Sequence, residues 1–262
     1  MTPETFVTFL LAFIQSATEF LPVSSSAHLI LAQSFHLTNQ GIFSDVALHA
    51  GTLLAVLIYF ERDVRQMIVG LFRGGPERKL LFHLIIATIP VIVAVLVGSK
   101  IIFYMRLPVI IAGTSIIFGI LLWLADKFTY VNTDLRSMKA SEAFCIGLAQ
   151  VLSLVPGVSR SGITITCCRA LGFSRRDSTR FAMLLSIPAI SAASIYVIGY
   201  AWYENTLSHL FNMEVFTGTV CAAIMGLIVI RFLMQWVRRS SFAVFAVYRV
   251  ILGLVVWYYF LF

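Results

Sequence analysis

Apolar runs long enough to cross the hydrocarbon core of a bilayer, roughly 20 residues each, recur along the whole of this chain. That pattern implies an all-α polytopic membrane protein. Composition agrees: 60% of residues are hydrophobic, 12% are charged, and mean hydropathy is +0.93. Lys and Arg anchoring the loops account for the net charge of +7, with no nucleic-acid partner needed. No basic stretch with a small-residue cleavage site opens the chain, so the first apolar segment is expected to stay. Cys145, Cys167, Cys168 and Cys221 sit in apolar runs without disulfide or zinc spacing and read as reduced packing residues.

Two of the apolar segments are broken. The first, Phe6 to about Leu37, is too long for one span and is interrupted at Pro22 with three serines behind it. The second, Glu142–Leu171, is interrupted at Pro156-Gly157. Each is expected to enter, turn and leave on one side as a re-entrant helix pair. Six spans are expected at about Asp45–Phe60, Leu80–Val97, Pro108–Leu124, Phe181–Trp202, Val215–Trp236 and Phe242–Phe262. The connections after Phe60, Leu124, Gly172 and Trp236 are rich in Lys and Arg; the opposite turns are poorer, with none in Phe35–Ser44, Lys100 and Arg106 in Gly98–Leu107, and only acids in Tyr203–Glu214. With both broken segments re-entrant, the arginine-rich turns share the cytoplasmic side and both termini lie outside.

The halves echo each other. Gln15, Val23, Ser24 and Ser26 recur 135 residues later as Gln150, Val158, Ser159 and Ser161. Gly119 and Trp123 recur 134 residues later as Gly253 and Trp257. One integral membrane domain, 1–262, is therefore expected as an inverted repeat. Repeat 1 covers about 1–126, repeat 2 about 140–262, and a cytoplasmic linker about 127–141. Such repeats place a polar site where their broken helices meet.

In the second broken segment, Pro156-Gly157-Val158-Ser159-Arg160-Ser161-Gly162-Ile163-Thr164 sets an arginine among aliphatic residues, with no Asp or Glu between Glu142 and Asp177. Arg160 either snorkels to the headgroups or meets an anion. Ser159 suits an N-cap. The free amides from Ser159 to Gly162, the hydroxyls of Ser159, Ser161 and Thr164, and the guanidinium together suit a phosphate. In the first segment, Gln15 and Glu19 are four apart and share a helix face, and Glu19 is the one carboxylate deep in it. Ser24, Ser25 and Ser26 open a new helix after Pro22, and His28 follows Ser25 by three. A lone buried histidine is usually structural; His28 shares its segment with a carboxylate and serines. Glu19 with the Gln15 oxygen suits a hard divalent cation, Mg²⁺ or Ca²⁺, that would also bridge phosphate oxygens.

Glu19-Phe20-Leu21-Pro22-Val23-Ser24-Ser25-Ser26-Ala27-His28 and the 156–164 stretch closely resemble the two signatures of the undecaprenyl pyrophosphate phosphatases, also called bacitracin-resistance proteins. The likeness runs essentially end to end, through Asp45-Val46-Ala47-Leu48-His49-Ala50-Gly51-Thr52 and Tyr248-Arg249. It implies a multi-pass enzyme of the bacterial inner membrane that removes the terminal phosphate of undecaprenyl pyrophosphate, recycling the lipid carrier for cell-wall synthesis. It also implies a divalent cation, a pocket opening to the periplasm, and roles for Glu19, Ser25, His28, Ser159, Arg160 and Thr164. Many members carry Glu where this chain has Gln15. The expected partners are the polyprenyl pyrophosphate, membrane lipids and, for a homodimer, a second copy.

For the nucleophile, Ser25 activated by His28 or Glu19 is preferred over a metal-bound water. The prenyl chain needs an apolar groove whose residues the sequence does not name. A lipid flippase or transporter is the rival class, and the cluster of Glu19, Ser25 and His28 counts against it. Arg231, Arg238 and Arg239 are expected to snorkel. Arg249 serves either a structural pair or a phosphate contact. Asp45 and His49 share a face read as packing, and His36, His83 and His209 are read as interfacial.

Overall fold

The computed structural model describes residues 3–25, 28, 42–105, 107–204 and 213–261. They form ten α-helices: α1 Pro3–Phe20, α2 Ile42–Tyr59, α3 Glu61–Arg73, α4 Pro76–Tyr104, α5 Pro108–Phe128, α6 Ala140–Val151, α7 Arg160–Ala170, α8 Arg175–Tyr203, α9 Met213–Trp236 and α10 Ala243–Leu261. There is no strand among the described residues; an isolated bridge joins Thr133 and Phe173. Five helical stretches are long and apolar enough to cross a membrane: Pro76–Gly98, Pro108–Phe128, Arg175–Ile195, Val215–Trp236 and Ala243–Phe260. The remaining expected span, about Asp45–Phe60, is α2, whose apolar part Ala47–Tyr59 is shorter. Ile92, Val93, Leu96, Val97, Ile195, Phe216, Ile228 and Leu254 point outward. So much exposed aliphatic surface suits lipid rather than water. The chain is an all-α polytopic membrane protein.

The stretch after Phe60, expected to be a charged loop, folds as α3. Glu61 and Asp63 sit in its first turn and Arg73 in its last, the arrangement a helix dipole favours, and Met67 and Gly70 are buried. Arg180 pairs with Asp63, tying the start of α8 to α3.

Asp126, near the end of α5, is buried at 4% exposure. Its Oδ1 accepts from Arg169 Nε at 3.2 Å and Arg175 Nε at 2.6 Å, and its Oδ2 from the Phe242 N–H at 3.0 Å. One carboxylate thus joins the ends of α5 and α7 to the starts of α8 and α10. Together with the Asp63–Arg180 pair, it gathers the four arginine-rich connections at one end of the molecule.

In the second broken segment, the two ends of the chain lie together. The Asn132 N–H donates to Gly172 O at 3.1 Å and Thr129 Oγ1 to Arg169 O at 2.7 Å. The chain therefore enters α6 and leaves α7 at the same end. The return of the first broken segment lies outside the described residues, apart from Ser25 and His28, which are helical.

Helices pack in a pattern that exchange of the halves preserves: α1 on α9 and α6 on α4, α2 on α9 and α8 on α4, α2 on α8, and α5 on α10. Details follow the same offsets. Ser16 Oγ donates to Ala222 O at 3.0 Å, and Gln150 Nε2 donates to Ala87 O at 3.3 Å. Gly119 lies against Ala246 O and Gly253 against Ala112 O. Ser24 (φ 84°) and Ser159 (φ 68°) are the two non-glycine residues with positive φ among those described. Gln150, the echo of Gln15, faces α4 and serves packing.

Candidate active site

The turn between α6 and α7 needs support, because backbone groups freed from a helix within a membrane must find partners inside the protein. Arg249, on α10 and fully buried, supplies it: its Nη2 donates to Gly157 O at 2.9 Å and Val158 O at 2.8 Å. Thr114 Oγ1 donates to Pro156 O at 2.7 Å. Gly157 takes φ 91°, and any Cβ there would collide with Thr114 and Ile111. Arg249 thus supports the turn through Nη2, while its Nε and Nη1 are buried without a partner among the described residues.

Ser159 caps α7 as its residue type predicts, accepting from the Gly162 N–H at 3.1 Å. One correction follows. The Gly162 amide, expected to point at an anion, is occupied by this cap, so the first-turn amides left over are those of Arg160 and Ser161. Ser161 Oγ lies 3.0 Å from Leu21 O and 3.2 Å from Ser159 Oγ. A carbonyl can only accept, so the Ser161 proton goes to Leu21 and the Ser159 proton to Ser161. Ser161 therefore links the two broken segments. Thr164, 1% exposed, is buried on α7.

The segments meet at Glu19. Arg160 Nη2 donates to Glu19 Oε1 at 2.9 Å. Glu19 Oε2 accepts from Ser25 Oγ at 2.9 Å and from Gln15 Nε2 at 3.3 Å. The anion that no neighbour in sequence could give Arg160 comes from the other half of the chain, and snorkelling is excluded. Side-chain exposure is 18% for Arg160 and 8% for Glu19. Arg160 Nη1 and Gln15 Oε1 are buried without a partner among the described residues. One is a donor suited to an anion and the other an acceptor suited to a cation.

His28 is placed differently from expectation. Its Nδ1 lies 2.6 Å from Ser24 O and its Nε2 2.5 Å from the Tyr248 hydroxyl. The carbonyl fixes the proton on Nδ1, so in the neutral ring Nε2 accepts from Tyr248. The two rings are stacked at 5.8 Å and 4°. Of the two groups expected to activate Ser25, Glu19 accepts its hydroxyl hydrogen bond, while both His28 nitrogens are engaged elsewhere. Ser24 is buried with its carbonyl engaged by His28; Ser26 lies outside the described residues, as do His36 and His209.

Sequence reasoning passed over two residues. His49 was assigned to packing, yet its Nδ1 stands 3.2 Å from Gln15 Nε2, against the site. Tyr248 reaches His28 across 220 residues of sequence. His83, read as interfacial, is 8% exposed on α4, with Glu142 and Lys79 as its charged neighbours.

A helical, multi-pass membrane protein whose two broken segments meet in a buried carboxylate–arginine pair is the class that this fold and site define. Comparison with known proteins then gives the family. The model of the family described as bacitracin resistance protein BacA matches residues 8–255, and the chain belongs to that family. It is 40% identical over 250 residues to the undecaprenyl-diphosphatase of Saccharophagus degradans, covering 93% of each chain. It is 40% identical over 253 residues to the undecaprenyl-diphosphatase of Teredinibacter turnerae, covering 93% of this chain and 94% of that one. With that of Alteromonas mediterranea it shares 39% over 260 residues, 96% of this chain and 97% of the relative.

Proposed function

We propose that this protein is an undecaprenyl-diphosphate phosphatase, hydrolysing undecaprenyl pyrophosphate to undecaprenyl phosphate and inorganic phosphate. Its relatives carry that activity in their names, and the flippase reading is not favoured. The observation that carries the proposal is Glu19 holding Arg160 through one oxygen and Ser25 through the other. A nucleophile, a base and a phosphate-binding cation thereby stand on one carboxylate.

Phosphoryl transfer needs positioning and charge neutralisation more than covalent help. Arg160 Nη1 and the Arg160 and Ser161 amides at the start of α7 would hold the terminal phosphate. Ser25 Oγ attacks its phosphorus while Glu19 takes the hydroxyl proton. The bridging P–O bond breaks and undecaprenyl phosphate leaves. Water then hydrolyses the phosphoserine, releasing inorganic phosphate. His28 has its Nδ1 proton held by Ser24 O, so any proton it passes to the leaving oxygen would go through Nε2, which meets the Tyr248 hydroxyl.

A divalent cation, Mg²⁺ or Ca²⁺, is part of the proposal. Among the described residues no three of His, Cys, Asp and Glu gather as a metal site. The protein's share would be Glu19 and the unpartnered Gln15 Oε1, a donor set that fits a hard cation completed by substrate oxygens. When bound, such a cation neutralises charge on the phosphoryl oxygens.

The inverted repeat, with six crossings and two re-entrant pairs, is likewise proposed, supported by the exchange-symmetric packing and the paired serines with positive φ. Grouping of the arginine-rich connections supports placing that end in the cytoplasm of a bacterial inner membrane, with the termini and the pocket mouth on the periplasmic side. Phosphate release from undecaprenyl pyrophosphate by purified protein, with Mg²⁺ or Ca²⁺ and then with EDTA, tests the activity. Release unaffected by EDTA would remove the cation from the account.

A further inference from the structure

A groove of about 360 Å³ runs between α1 and α10. Phe13, Ala17 and Leu21 form one wall, Val244 and Phe245 the other, and His28 and Tyr248 also line it. Phe13 (49% exposed) and Val244 (56%) open outward to the lipid side. Its inner side approaches the site through His28 and through Leu21, whose carbonyl is the acceptor for Ser161. Two other cavities, around Leu124–Gly172 and Arg62–Glu77, do not touch the site.

The polar side-chain groups lining the groove are already engaged. Thr18 Oγ1 donates to Ile14 O at 2.7 Å, His28 Nδ1 to Ser24 O, and the Tyr248 hydroxyl meets His28 Nε2. An apolar occupant would leave none of them stranded, whereas a polar one would find nothing to bond. We propose that this groove receives the polyprenyl chain of the substrate, with the first isoprene units between Phe13 and Val244 and the pyrophosphate at Arg160. This rests on the phosphatase reading above. The volume is near the lower end of the roughly 300–1,000 Å³ typical of ligand pockets, so it holds the start of the chain and the rest continues into the bilayer. Tyr248 stands where chain and headgroup join, linking occupancy of the groove to the orientation of His28.

The test is steady-state hydrolysis of farnesyl pyrophosphate by Val244→Trp and Phe13→Trp, beside Ile195→Trp as a control exposed elsewhere to lipid. Filling the groove raises KM for farnesyl pyrophosphate about tenfold or more, the scale on which apolar pockets discriminate, while kcat at saturation stays near wild type. In a second arm, a photoreactive farnesyl pyrophosphate labels Phe13 or Val244, and undecaprenyl pyrophosphate but not phospholipid competes. Unchanged KM in both groove variants, or labelling that phospholipid displaces equally, overturns the assignment. Absence of hydrolysis in wild type overturns the phosphatase reading itself, and the groove's occupant with it.

Discussion

Arg160 Nη2 and Glu19 Oε1 lie 2.9 Å apart across 141 residues of sequence, one from each broken segment. Each explains the other: an arginine among aliphatic side chains is tolerable because a carboxylate faces it, and the carboxylate because an arginine does. Neither partner can be removed alone without leaving an uncompensated buried charge.

Glu19→Gln or Arg160→Met alone should therefore destabilise by about 3–5 kcal/mol. The double variant should lose less than the two singles together, because it strands neither charge. Thermal unfolding of all four proteins in the same detergent checks this, and strictly additive losses would contradict the pairing.

Ser25→Ala should abolish turnover while leaving unfolding nearly unchanged, since Ser25 is part-exposed and makes one side-chain bond to Glu19. Rapid acid quench of wild type with radiolabelled substrate should trap phosphate on Ser25. Near-full turnover by Ser25→Ala would transfer the nucleophilic role to water.

Tyr248→Phe removes the hydroxyl that meets His28 Nε2 and keeps the stacked ring. Loss of such an orienting partner should lower kcat by about 10–100-fold and leave KM little changed. A KM effect without a kcat effect would make Tyr248 a wall of the groove alone.

The sequence made the all-α membrane architecture legible because long apolar runs recur along it, and proline, glycine and serine mark both breaks. It also made Glu19, Ser25 and Arg160 legible as intruders in apolar surroundings. His49 and Tyr248 were not, since each acquires its role from a partner 34 or 220 residues away. The helix α3 carried a usable signal, Val64, Met67, Ile68 and Leu71 at helical spacing, but its dense arginines read as a loop. Arg160's partner was hidden for a similar reason: no acid lies near it in sequence, and only the meeting of the segments supplies one.

Ser159 has φ 68° while its hydroxyl caps α7. Ser159→Ala loses the cap and keeps the strain, costing about 0.5–2 kcal/mol. Ser159→Gly loses the cap but relaxes the backbone, so its melting temperature should fall between Ser159→Ala and wild type. The reverse order would mean that the cap contributes little.

Gln15→Glu would place a second carboxylate beside Glu19, with His49 next to it. The divalent-cation concentration for half-maximal activity should drop, because charge is added to a site of hard oxygen donors. An unchanged cation requirement would move the cation away from Gln15.

The most direct measurement is inorganic phosphate released from undecaprenyl pyrophosphate by purified wild type, Glu19→Ala and Arg160→Ala in Mg²⁺ or Ca²⁺. The account predicts steady release by wild type and near-complete loss in both variants, although their altered residues come from opposite halves of the chain. Wild-type release that persists in either variant would contradict a single site built by the meeting of the two broken segments.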